Sequence, residues 1–252
     1  MLGKKKNIFK QAAFFFLMLV IITGCKKSEG QKATLSLQFQ TVIGEANYSF
    51  LDSYLNQGTQ AIRLEVFQFY ISDITLVNKK GKETIVSDIE LVKLDLSGFG
   101  LAEVKIPAGD YASLKFGIGV SPELNATSPS DHKDADHPLS STQNTYWGMN
   151  SMYRFLMIDG RYDHENDGTM DGIFSYHTGY DDCYRIVEFS KDLSFDRKEN
   201  YTEKITIDVT KLFNVSGSLV DVVNESNFHG EYSEIAVALR LSTNFSSSLS
   251  LQ

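Results

Sequence analysis

Leu114-Lys115-Phe116-Gly117-Ile118-Gly119-Val120 places an apolar side chain at every second position. Successive side chains of an extended chain point to opposite faces, so this stretch reads as a strand with one face buried and one wet. The same alternation recurs on both sides of it. Leu35, Leu37 and Phe39 alternate with Ser36 and Gln38, and Ile62, Leu64 and Val66 with Arg63 and Glu65. Further along, Ile205, Ile207 and Val209, then Ile235, Val237, Leu239 and Leu241, repeat the pattern. Lys79-Lys80-Gly81-Lys82 and Pro107-Ala108-Gly109-Asp110 supply turn chemistry between such runs. After Cys25 no segment shows a long, well-capped helical period, and Val209 to Phe213 has room for one short helical turn. Many short strands at this spacing predict an all-β fold, an antiparallel β-sandwich in a single domain over residues 33–252. Ser121 to Thr145 breaks the rhythm. It is rich in Ser, Asp, His and Asn, and a loop that long in a compact domain is usually functional.

The N-terminus carries a different signal. Lys4, Lys5, Lys6 and Lys10 precede the unbroken apolar run Ala12 to Ile22. A run of that length is a secretion-signal core, since spanning a bilayer takes about 20 apolar residues. It ends at Ile22-Thr23-Gly24-Cys25, the arrangement of a bacterial lipobox. The expectation is a signal peptide over residues 1–24, lipid attachment to the Cys25 sulfur, and a polar tether over 25–32. A chain so processed is held on the membrane of the cell envelope, with the outer membrane as the expected site. Losing the leader's four lysines leaves 20 basic against 32 acidic side chains, a net charge of −12. Such a surface argues against nucleic-acid binding. Cys183 is then the one cysteine besides the anchor, so no internal disulfide is expected. Its neighbours Asp181 and Asp182 oppose thiolate formation, which argues against a nucleophile.

Residues with metal chemistry are concentrated in few places. Asp131-His132-Lys133-Asp134-Ala135-Asp136-His137 lies in the long loop, where two histidines five apart reach one ion only from irregular backbone. His177 stands in Tyr176-His177-Thr178-Gly179, at a strand end beside a glycine turn, a good position to face a loop-lined site. His164 and His229 read as surface residues in polar loops. Imidazoles suit copper, zinc, iron or nickel. Asp163, Glu165, Asp167 and Asp171, with Gly168 at the sixth position, resemble the opening of a calcium loop, although Phe174 stands where the closing acid belongs. No G-x-S-x-G, Walker loop, H-E-x-x-H or C-x-x-C occurs, so the chain reads as a binding protein and not an enzyme.

Several segments in order resemble the MbnP-like copper-binding family. They are Phe67-Gln68-Phe69-Tyr70-Ile71-Ser72, Pro107-Ala108-Gly109-Asp110-Tyr111 and Phe116-Gly117-Ile118-Gly119-Val120. Pro138-Leu139, Tyr146-Trp147-Gly148-Met149-Asn150, Tyr153-Arg154-Phe155 and Tyr176-His177-Thr178-Gly179 with Cys183 complete the set. The resemblance implies an exported β-sandwich that binds copper for acquisition or handling. It makes His177 the leading histidine ligand, with His137 and His132 next. It also makes Trp147 a position open to oxidation to kynurenine, by a dihaem partner of the cytochrome c peroxidase type. An indole N–H only donates hydrogen bonds, whereas kynurenine supplies an amine and a ketone oxygen. Two positions depart from the family pattern: Ala126 follows Asn125 where relatives carry His, and Met149 replaces a second Trp. The rival reading is a surface lipoprotein that binds a sugar or peptide on Tyr146, Trp147 and Tyr153, stiffened by calcium at Asp163 to Asp171. Arg154 is a further candidate to stack on Trp147.

Overall fold

The computed structural model describes residues 32–56, 60–148 and 151–252. The expected leader over 1–24, the expected lipidation site at Cys25 and the expected tether as far as residue 31 lie outside the described residues, as do Met149 and Asn150. None of the described helices is long and apolar enough to cross a membrane.

The alternating runs become strands. In chain order these are β1 (Ala33–Ile43), β2 (Gln60–Val77), β3 (Glu83–Lys93), β4 (Phe99–Ile106), β5 (Gly109–Ile118), β6 (Leu156–Tyr162), β7 (Gly172–Thr178), β8 (Arg185–Phe195) and β9 (Asn200–Asp208). Then follow the two-residue β10 (Asn227–Phe228), helix α1 (Ile235–Ser248) and β11 (Leu249–Leu251). One sheet runs β11-β9-β1-β4; the other runs β8-β5-β2-β6-β7-β10, with β3 also paired to β2. The sheets are mixed, because β1 pairs parallel with β9 and β7 parallel with β10. Between the two layers Phe39 of β1 meets Phe69 of β2 and Phe116 of β5 edge-on, with centroids 5.2 and 6.4 Å apart. Each such buried aromatic contributes about 1.5–3 kcal/mol through burial alone.

Two of the alternating runs change in the structure. The alternation at Ile62, Leu64 and Val66 breaks at Val66, which is exposed while Phe67 is buried. A register shift against β6 between Leu64 and Val66 absorbs one residue and exchanges the faces. The larger correction is Ile235 to Leu241, which is helix and not strand. Ala238, Leu241, Phe245 and Ser248 are buried, a spacing of three and four that lines one helical face. Phe245 enters the core against Phe67 and Phe69, at 5.3 and 4.9 Å. The helix has no side-chain N-cap, so the usual start signal is missing from its sequence. The short turn expected near Val209 is present as a 3-10 helix over Val209–Lys211.

The long stretch between β5 and β6 is irregular but anchored. It contains a one-turn helix at Pro122–Asn125 and 3-10 turns at Pro129–Asp131 and Ser141–Gln143. The buried Tyr70 hydroxyl donates to the Pro138 carbonyl at 2.6 Å and pairs with Thr145 Oγ1 at 2.7 Å. The Tyr153 hydroxyl donates to the Leu139 carbonyl at 3.2 Å. The strand expected from Met152 to Asp159 begins only at Leu156, and Tyr153 ahead of it forms an isolated antiparallel bridge with Tyr146.

Candidate metal site on the large sheet

On β6 and β7 the buried positions include Leu156, Ile158, Phe174 and Tyr176, so Met157, Asp159, Ser175 and His177 stand on the face turned away from the core. The strands pair with Asp159 opposite Ser175 and Met157 opposite His177. The parallel strand β10 sets Phe228 beside Tyr176, and His229 follows it alongside His177. Trp147 reaches the same place from beside the Tyr146–Tyr153 bridge, and its backbone N–H donates to the Met152 carbonyl at 2.8 Å.

These side chains form one hydrogen-bonded group. Ser175 Oγ donates to Asp159 Oδ1 at 2.6 Å, and His177 Nε2 pairs with the same oxygen at 3.0 Å. A carboxylate only accepts, so the neutral His177 ring carries its proton on Nε2. Ser175 has one proton, already given to Asp159, so its 2.8 Å contact with His229 Nε2 is donated by the histidine. That leaves Nδ1 as the unprotonated nitrogen on each neutral ring. In His177 it is buried without a hydrogen-bond partner. The two imidazoles stack at 4.8 Å with 26° between planes. The Trp147 indole packs against both, 5.6 Å from His177 and 5.9 Å from His229. Arg154 lies behind it, its guanidinium carbon 5.1 Å from the indole centroid, which bears out the expected cation–π contact.

Burial alone would raise Asp159, but hydrogen bonds from His177 and Ser175 outweigh it and hold the carboxyl below its ordinary value. Burial, then repulsion from His177 and Arg154, pulls His229 down against the opposing pull of Asp159.

The other sequence candidates lie elsewhere. His132 and His137 stack on each other at 4.3 Å and 11°. His132 Nε2 is 2.9 Å from Thr127 Oγ1, and His137 Nδ1 accepts from the Leu139 N–H at 3.1 Å. Their stacked rings brace the loop. Asp163 of the acidic loop is buried and accepts from the N–H groups of Asp167 and Gly168 at 3.1 and 2.7 Å. Asp167 accepts from the Thr169 N–H at 2.8 Å and Asp171 from the His164 N–H at 3.2 Å, while Glu165 is exposed. These carboxylates serve backbone turns. Cys183 is buried and its thiol is pushed up to about 11, chiefly by that burial. Among the described residues no three His, Cys, Asp or Glu side chains are grouped to hold a metal ion. At Trp147 the nitrogen donors number two, and Asp159 is occupied in orienting them.

Sequence reasoning missed Asp159, Ser175 and His229. A signal was present for the last. Phe228-His229-Gly230 repeats the aromatic–His order of Tyr176-His177 ahead of a glycine. In both, the buried aromatic fixes the strand end and turns the histidine outward.

The MbnP family model matches residues 32–231. The chain belongs to the MbnP family. MbnP from Methylosinus trichosporium is similar in structure, with a TM-score of 0.51 and 18% identity over 80% of this chain and 82% of that one. At that identity the likeness shows the fold. No curated protein sequence matches the chain. The match ends at residue 231, just ahead of α1, so the helix and β11 lie beyond the matched region of this MbnP-family chain.

Proposed function

We propose that this protein binds copper outside the cytoplasm, held to the envelope membrane through a lipid on Cys25, and that His177 is its primary ligand. One observation carries the reading: His177 Nδ1 is buried and unpartnered while Asp159 fixes the opposite nitrogen. A buried polar atom without a partner is costly, and a metal ion would satisfy it. The carboxylate–imidazole pair is the arrangement that orients a histidine toward a metal and raises its basicity. Imidazole nitrogen suits copper. Trp147 covers the site and is half-buried, within reach of a dihaem oxidising partner. Unmodified, its indole N–H can only donate, so Trp147 would join the ligand set after ring opening and otherwise serves as a wall. The function is acquisition or handling of the ion.

The test is a competition titration of the mature chain with copper(I) and a chromogenic chelator. The expected result is one tightly held ion per chain, lost in His177→Ala. Unchanged affinity in His177→Ala would overturn the assignment.

A further inference from the structure

We infer that the end of the sandwich at which β1 begins is a membrane-facing surface, whose basic turns lie on anionic phospholipid headgroups; this rests on the lipid anchoring proposed above.

The topology gathers four segments at that end. β1 starts at Ala33 opposite Ile106, the last residue of β4. The Thr34 N–H donates to the Glu199 carbonyl at 3.0 Å, which sets the turn 196–199 beside it. β5 starts at Gly109 opposite Phe195, the last residue of β8. The turn 78–82 between β2 and β3 is joined to β8 by Lys79, whose Nζ is 3.3 Å from Asp192. The residues that fill these turns are largely cationic. Asn78-Lys79-Lys80-Gly81-Lys82 has three lysines and no acid, Lys105 stands next to the end of β4, and Arg197 and Lys198 occupy the third turn. All six cations are exposed. Lys80, Lys82, Arg197 and Lys198 form no ion pair with another described residue. The acids in the same turns are Asp110, Asp196 and Glu199.

The opposite end has the reverse sign. It carries the turns 44–53 and 94–98 and the loop 163–171, which together hold seven acids and no Lys or Arg. A domain in a chain of net charge −12 is repelled by an anionic bilayer in most orientations. The exception is the end where the tether joins it. From Cys25 to Lys32 the tether reaches at most about 25 Å, and Lys26, Lys27 and Lys32 continue the basic run. Near an anionic surface each Lys or Arg strengthens binding roughly fivefold. Tethering makes the contact intramolecular, so a weak attraction is enough to orient the domain while the lipid retains it. None of the exposed large apolar side chains lies in these turns, so the contact is electrostatic and involves no insertion among the acyl chains.

The experiment uses the mature chain with Cys25→Ser, which lacks the lipid. It is sedimented with vesicles of phosphatidylcholine, and with vesicles of phosphatidylcholine mixed with phosphatidylglycerol. The expected result is binding to the anionic vesicles at low salt and none to the neutral ones. Release is expected at about 1 M salt, where the Debye length is about 3 Å. Replacing three lysines together, Lys79→Gln, Lys80→Gln and Lys82→Gln, should weaken binding by about 100-fold. Arg197→Gln with Lys198→Gln should weaken it in the same direction, and circular dichroism of each variant should be unchanged. Equal binding to both vesicles, binding to neither, or wild-type binding in the triple variant would overturn the inference. The two readings fail separately. Absence of palmitate on the wild-type chain would remove the anchor, which this unlipidated chain does not use. Charge-blind vesicle binding would remove the basic surface and leave the anchor in place.

Discussion

At the scale of single residues, the site is a question of which nitrogen is free. His177 was legible because it precedes a glycine turn at a strand end; Asp159 and Ser175 were not, since nothing local marks a carboxylate and a hydroxyl as cross-strand partners. Asp159→Asn keeps the shape and removes the charge that orients His177. Copper affinity should fall by about 10–100-fold, measured by chelator competition; an unchanged value would show that the pair does not position the ligand. The loop histidines make a different prediction. Burial, then the neighbouring His132, lowers the pKa of His137. The unfolded chain therefore takes up this proton more readily than the folded one. The contribution to stability is present above the ordinary histidine value of about 6.5 and is lost as pH falls toward the lowered folded value. Denaturant melts at pH 7.5 and 5.5 should show wild type losing more stability on acidification than His137→Asn. Equal losses would contradict the sign.

At the scale of elements, the strands were legible wherever burial alternates strictly and failed where a second period overlay the first. Ile235 to Leu241 alternates in hydropathy, yet Ala238, Leu241 and Phe245 also lie three and four apart, and it is this second set that is buried. Packing of Phe245 between Phe67 and Phe69 decides for helix. Phe245→Ala should cost about 3–5 kcal/mol in a denaturant melt. A loss under about 1 kcal/mol would mean that the helix is peripheral to the fold. The pairing of β10 with β7 was not legible at all. Two residues of parallel strand have no periodicity, and only the shared aromatic–His order hints at their common role.

At the scale of the whole molecule, the leader and the family pattern divide the account. In the proposed reading the apolar run and Cys25 serve as an address, and the β-sandwich is a scaffold on which β6, β7 and β10 hold the candidate site. Cys25→Ser should move the chain from the membrane fraction to the soluble fraction of the envelope and abolish incorporation of labelled palmitate; retention in membranes without label would contradict lipid anchoring. The acidic surface, −12 without the leader, fits an affinity for cations but does not locate one. Location is the central claim. Anomalous diffraction at the copper edge, from copper-loaded crystals of the mature chain, tests it most directly. The account predicts one peak in bonding contact with His177 Nδ1, beneath Trp147. A peak between His132 and His137, or at Asp163, with none at His177, would contradict it.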